Sequence, residues 1–171
     1  MIRGAKTRLR PLEESDLDAV LGWRNAVRDR FRDDRLLTMA DQQAWFARYA
    51  RDDTDQCYVI QTLDERSIGM VCLSRIDRTA GTAEFGRLII GDPESLGRGY
   101  ASDAAEALVS DAFERLDLET LHLVVLESNG PALALYTRLG FERDGDAEAE
   151  ELAGRGSLLR MSLDRRRWEQ R

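Results

Sequence analysis

The stretch from residue 88 to residue 116 restricts the fold of this chain more than any other. Leu88-Ile89-Ile90 is apolar and largely β-branched, as a strand is, and Gly91-Asp92-Pro93-Glu94-Ser95-Leu96-Gly97-Arg98-Gly99 breaks that run. From Ala101 the small and apolar residues fall at Ala104, Ala105, Leu108, Val109, Ala112, Phe113 and Leu116. Their i, i+3, i+4, i+7 spacing is that of a helix with one buried face. A strand feeding a glycine turn and then a helix exposes several backbone N–H groups at the helix's positive end, which suits a phosphate. Glycine at 97 and 99 lets a ligand approach the main chain without meeting a Cβ, and Arg98 adds a charge.

Three uses of this turn are open. It can simply start a helix. It can bind a dinucleotide, although G-x-G-x-x-G is met only as Gly97-x-Gly99-x-x-Ser102, in mid-chain and after an antiparallel-looking hairpin rather than at the head of a βαβ unit. It can cradle the pyrophosphate of an acyl-CoA. A nucleoside triphosphatase loop is excluded, because no G-x-x-x-x-G-K-S/T occurs.

The remaining elements follow from local signals. Thr7 to Leu12 reads as a strand. Ser15-Asp16-Leu17-Asp18 resembles a capping box ahead of a helix with Leu17, Val20, Leu21 and Trp23, and Thr38-Met39-Ala40-Asp41 opens a second with Ala44, Trp45, Phe46 and Tyr49. Asp29 to Arg35, a run of mixed charge, is expected to be an exposed connection. Cys57 to Ile60 and Ser67 to Leu73 form a hairpin around Asp64-Glu65-Arg66, and Ala83 to Ile90 is a third strand after Gly81. Thr120 to Leu126 is a strand, Ala132 to Leu139 a helix stopped by Gly140, and Phe141 onward and Gly156 to Leu163 two last strands joined by the acidic Asp144 to Glu151. The order β, α, α, three strands, α, β, α, β, β predicts a single domain, residues 1–171, of mixed α/β class: one largely antiparallel central sheet flanked by helices.

The charge balance of 25 basic against 32 acidic residues, net −7, argues against a nucleic-acid partner, since phosphate neutralisation needs a basic face. No apolar run reaches the ~18 residues of a membrane span, and the N-terminus has no leader-like segment. No membrane association is expected. Cys57 and Cys72 lie in separate strands without C-x-x-C spacing, so neither a disulfide nor a redox pair is expected and a cytoplasmic location fits. No metal is expected, because no ligands cluster.

The turn at Asp92 to Ala101 resembles the acetyl-CoA motif R/Q-x-x-G-x-G/A of the GNAT superfamily of acyl-CoA-dependent N-acetyltransferases. Downstream, Glu127-Ser128-Asn129-x-x-Ala132-x-x-x-Tyr136-x-x-Leu139-Gly140-Phe141 is similar to that family's second motif, at the spacing expected for one intervening strand. Leu96 departs from the usual Arg or Gln, so a side-chain phosphate contact from that position is absent. The resemblance implies acetyl-CoA as cosubstrate, with Ile89 and Gly91 along its pantetheine arm, Gly97, Arg98, Gly99, Tyr100, Ala101 and Ser102 around its pyrophosphate, and Asn129 beside the pantetheine amide. It also implies Tyr136 as the acid that protonates the leaving thiolate, a backbone N–H near Gly91 as oxyanion donor, and Glu84 as base for the amine. His122 and the two cysteines are read as structural.

Trp23-Arg24-Asn25, Val27-Arg28, Phe31 and Trp45-Phe46 resemble a pattern in a GNAT branch that acetylates nucleotide-linked amino sugars and lies close to ribosomal-protein N-terminal and spermidine acetyltransferases. Trp23, Arg24, Asn25, Arg28 and Trp45 are accordingly the expected acceptor residues, aromatic faces stacking and arginines gripping a diphosphate; packing of helices on the sheet is the competing role for the tryptophans. The expected reaction is acetyl transfer to a primary amine by direct attack. The first acceptor is an amino sugar, with a protein N-terminus, a polyamine or an antibiotic as alternatives, and a non-catalytic CoA-binding module or homodimer also open.

Overall fold

The computed structural model describes residues 1–144, 150–152 and 154–171. Strands β1 (Ile2–Arg3) and β2 (Thr7–Pro11) lead into helices α1 (Leu17–Ala26) and α2 (Met39–Tyr49). Then come β3 (Gln56–Thr62), β4 (Ser67–Asp77), β5 (Thr82–Ile90), α3 (Tyr100–Glu114), β6 (Thr120–Leu126), α4 (Gly130–Arg138), β7 (Glu142–Arg143), β8 (Glu150–Leu152), β9 (Gly156–Asp164) and α5 (Arg165–Glu169). The strands form one sheet in the order β1-β2-β3-β4-β5-β6-β9-β7, with β8 also on β9. Each pair is antiparallel except β5–β6.

The expected mixed, largely antiparallel α/β architecture is what the chain adopts, with additions at the ends: β1, β8 and α5. The acidic connection expected over Asp144 to Glu151 lies largely outside the described residues. Ser15 is not the cap of α1. Asp16 holds that position, at the end of a 3-10 turn (Glu14–Asp16) that Glu13 caps, the Glu13 N–H donating to Asp16 Oδ2 at 2.9 Å. Thr38 does cap α2, accepting from the Asp41 amide at 3.2 Å.

The sheet has a core on each face. Tyr58, Ile60, Val71, Leu73 and Phe85 turn toward α3 and α4, while Cys57, Val59, Met70, Cys72 and Ile89 turn toward α1 and α2. This is the period-2 alternation of a strand buried on both sides, which is why residues 57–60 read as an unbroken apolar run. Cys57 and Cys72 are direct cross-strand partners, 4.1 Å between Cα atoms, and the structure joins them in a disulfide. The expectation of two separate cysteines is thus corrected, and with it the argument from thiols to a reducing compartment. Register, which spacing along the chain does not reveal, brings them together.

The segment before β2 is tied to the start of α3: Asp103 accepts from the Ala5 amide (2.9 Å), the Lys6 amide (3.0 Å) and the Thr7 hydroxyl (2.6 Å). No helix among the described residues is long and apolar enough to cross a membrane.

Candidate active site

β5 and β6 pair only from Thr82–Thr120 to Glu84–His122, although β5 continues to Ile90 and β6 to Leu126. Beyond that point the strands part, leaving a cleft of about 730 Å³ between Phe85–Ile90 on one side and Val124–Leu126 with α4 on the other. A bulge bends the β5 wall: Met70 pairs with Ile89 but Cys72 with Gly86, so β5 carries one extra residue. Arg87 occupies the bulge at φ 51°, a conformation more usual for glycine. The bulge also lets Phe85 and Ile89, four residues apart, face opposite sides of the sheet. Arg87 is brought over the Trp45 ring (5.4 Å), with Nη1 3.7 Å from Asp55 Oδ2.

At the end of the cleft lies the glycine turn. Gly97 and Gly99 have φ of 71° and 83°, and a Cβ built on Gly97 meets no atom within 4 Å, so the space before the turn is open. Gly99 starts α3 without a side-chain cap, leaving first-turn amides unpaired by any side chain. Arg98, Tyr100 and Ser102 belong to this turn and the first turn of the helix; Ala101 lines the cleft, as does Leu96, which is 57% exposed. Lys6 Nζ donates to the Arg98 carbonyl at 3.2 Å, so the chain's single lysine stands at the lip of the turn. This cradle fits a diphosphate.

Tyr136 projects from α4 into the cleft, edge-on to Phe85 (6.0 Å) and Phe141 (5.9 Å). Burial pushes its hydroxyl up to about 12, so the group keeps its proton at neutral pH. Glu84 lines the cleft where the strands part, held by Arg75 at 2.8 Å. Asn129 lines it too and caps α4, accepting from the Ala132 amide at 3.3 Å. Gly91 is corrected as an oxyanion donor: its N–H is taken by the Ile68 carbonyl at 2.8 Å, and the Asp92 N–H goes to the same oxygen at 3.1 Å. Ile89 lines the cleft, but its carbonyl lies against Gly69 on β4, so both residues direct main-chain groups away from the opening.

The expected acceptor residues separate. Arg24 and Trp45 line a second cavity of about 500 Å³, between α1, α2 and the 28–38 connection. Trp23 and Asn25 do not line either cavity. Trp23 packs its ring on Gly91, and Asn25 holds the connection through its side chain, donating to the Leu37 carbonyl and accepting from the Leu37 amide, both at 2.9 Å. Arg28 is exposed and reaches the Asn25 carbonyl at 3.4 Å. For Trp23 the geometry shows the packing role that competes with acceptor binding, and Asn25 and Arg28 do not face either cavity.

Residues 6–142 match the model of the GNAT acetyltransferase domain. The chain belongs to the GNAT acetyltransferases. It is similar to the spermidine N(1)-acetyltransferase of Escherichia coli K12, 30% identical over 141 residues that cover 81% of this chain and 74% of that protein. A Bacillus subtilis relative, named "Probable N-acetyltransferase YjcK", is 30% identical over 158 residues, 86% of each chain. In fold it resembles the spermidine N-acetyltransferase of Vibrio cholerae crystallised with CoA and spermine, with TM-score 0.85 and 24% identity over 96% of this chain and 99% of that one.

As a GNAT acetyltransferase the chain uses acetyl-CoA. Among the described residues no group of three or more His, Cys, Asp or Glu is placed to hold a metal ion. Sequence reasoning missed Lys6 at the turn and Arg87 between the two cavities. A signal for Arg87 existed: it is a charged residue inside the apolar run Phe85 to Ile90, where an ordinary buried strand carries none.

Proposed function

We propose that this acetyltransferase moves the acetyl group of acetyl-CoA onto a primary amine by direct attack in a ternary complex, with Tyr136 donating the proton to the departing thiolate. The observation that carries this reading is the meeting, in one cleft, of the parted β5 edge, the glycine-turn side and the protonated Tyr136 hydroxyl. Amides alternate in direction along a strand. With Gly91 N–H and Ile89 C=O turned to β4, the Ile90 main chain is the part of β5 directed into the opening; its N–H takes the oxyanion role first expected near Gly91. Glu84 takes the proton of the incoming amine, directly or through water. Gly97 to Ser102 hold the pyrophosphate through main-chain amides, and Asn129 lies beside the pantetheine.

The relatives' names favour a polyamine over the amino sugar expected from the sequence. At about 30% identity, shared chemistry is a firmer inheritance than a shared acceptor, because acceptor choice lives in the lining of the second pocket. A Vibrio cholerae relative has a dodecameric structure, which makes self-assembly of this chain a matter for light scattering.

The test combines two measurements on the full chain. Acetyl-CoA should raise the melting temperature, since it binds only the folded state, and free thiol should appear when a suitable amine is added. A melting point unmoved at saturating acetyl-CoA refutes the proposed site; stabilisation without thiol release from any amine refutes the proposed transfer.

A further inference from the structure

The 500 Å³ cavity meets the acetyl-transfer cleft at Phe31, Arg32, Arg87 and Ile89, which line both. Among the described residues its wall carries five arginines, Arg24, Arg32, Arg35, Arg48 and Arg87, against two acids. Both acids are already bonded. Asp33 accepts from Arg35 Nε and Nη2 at 3.0 Å, and Asp41 accepts the Thr38 amide at 2.8 Å and hydroxyl at 2.7 Å. The carboxylates nearby are paired as well: Asp34 with Arg155 at 3.4 Å, Asp55 with Arg87 at 3.7 Å, and Glu84 with Arg75 at 2.8 Å.

Among the described residues these carboxylates already hold partners, Arg35 and Arg87 being two of them, so a polycation entering the cavity would exchange water for guanidinium groups of its own sign without a free carboxylate from this set. An anion would meet the opposite situation. Arg24 stacks its guanidinium 4.0 Å over the Phe31 ring and donates Nη2 to the Asp33 carbonyl, yet its Nη1 is buried with no hydrogen-bond partner among the described residues. A buried cationic N–H without an acceptor is costly and is a place prepared for one. Burial holds this guanidinium below its ordinary value; Asp33 pulls it up and Arg87 adds to the lowering.

We infer that the second cavity receives an oxyanion of the acceptor at Arg24, so that the preferred substrate is a small primary amine that also carries a carboxylate or phosphate. Trp45 and Phe31 supply the apolar walls for the carbon skeleton between amine and anion. This inference rests on reading the larger cleft as the acetyl-transfer site.

Matched amines test it by thiol release from acetyl-CoA, compared at equal free-base concentration: ethanolamine with O-phosphoethanolamine, propylamine with β-alanine, and spermidine alongside. The anionic member of at least one pair should exceed its neutral partner in kcat/KM by about tenfold or more, and which pair shows it separates phosphate from carboxylate. Arg24→Gln should shrink that ratio toward one, mainly through KM. Equal rates within both pairs, spermidine ahead of both anions, or an unchanged ratio in the variant would each overturn the anionic acceptor while leaving acetyl transfer standing. Silence with every amine, despite stabilisation by acetyl-CoA, would remove the transfer reading and this inference together.

Discussion

The Trp23 indole lies against the Cα of Gly91 so closely that a Cβ on residue 91 would fall inside the ring. One contact thereby fixes the position of α1 and the end of the strand that forms the cleft wall. Gly91→Ala must push a rigid ring, and the helix that carries it, away from the sheet. The expected outcome is a loss of about 1–3 kcal/mol in urea unfolding, in the range found for overpacked cores, together with a raised KM for acetyl-CoA. A variant as stable as the parent would mean that α1 yields freely.

Tyr136→Phe keeps the ring that packs on Phe85 and Phe141 and removes only the proton donor. Turnover should drop by roughly 10²-fold or more, the usual scale of general-acid catalysis, with acetyl-CoA stabilisation intact. Because the Tyr136 hydroxyl is pushed up to about 12, the parent enzyme should show no loss of rate from tyrosine ionisation below about pH 11. An unchanged rate in the variant would take Tyr136 out of the chemistry.

Lys6 stands at the turn where Leu96 supplies no charge. Lys6→Met should raise the KM for acetyl-CoA roughly three- to fivefold, the scale of an exposed charge contact, with the effect shrinking as salt is added. The KM measured at low and high ionic strength decides this.

The Cys57–Cys72 disulfide closes a loop of 15 residues in sequence separation. Thiol titration of the denatured, unreduced protein should find no free cysteine. Reduction, or the Cys57→Ala/Cys72→Ala pair, should cost about 3 kcal/mol on the chain-entropy account. Two titratable thiols in protein purified without reductant would contradict the bond.

Asp16 links acid stability to the start of α1. Burial by itself would raise its carboxyl, but the Arg10 hydrogen bonds, at 2.7 and 2.6 Å, and the Glu13 amide outweigh it and leave the group below its ordinary 3.8. A depressed folded-state value contributes stability above the unfolded one and loses it as pH falls through the folded one. The urea midpoint of the parent should therefore fall below about pH 4 more steeply than that of Asp16→Asn; parallel curves would show that the pair carries no such linkage.

The sequence by itself determined the elements and the strand–turn–helix on which the proposed cofactor site rests. The helical stripe from Ala104 to Leu116, the alternation in the strands and the left-handed helix stop at Gly140 are local, set by side-chain period and backbone sterics within a few residues. The glycine turn was legible for the same reason, since strand, glycines and helix start are contiguous in the chain. Everything that depends on register or on distant packing was decided only in three dimensions. The Cys57–Cys72 bond needed the pairing of β3 with β4, and the loss of the Gly91 amide needed Ile68 to come alongside. The division of the W-R-N segment, with Trp23 on Gly91, Asn25 on the 28–38 connection and Arg24 alone facing a cavity, follows from how α1 lies on the sheet. A helix turns neighbouring residues to different faces by about 100° each, and which face finds a pocket is settled by what the rest of the chain places there.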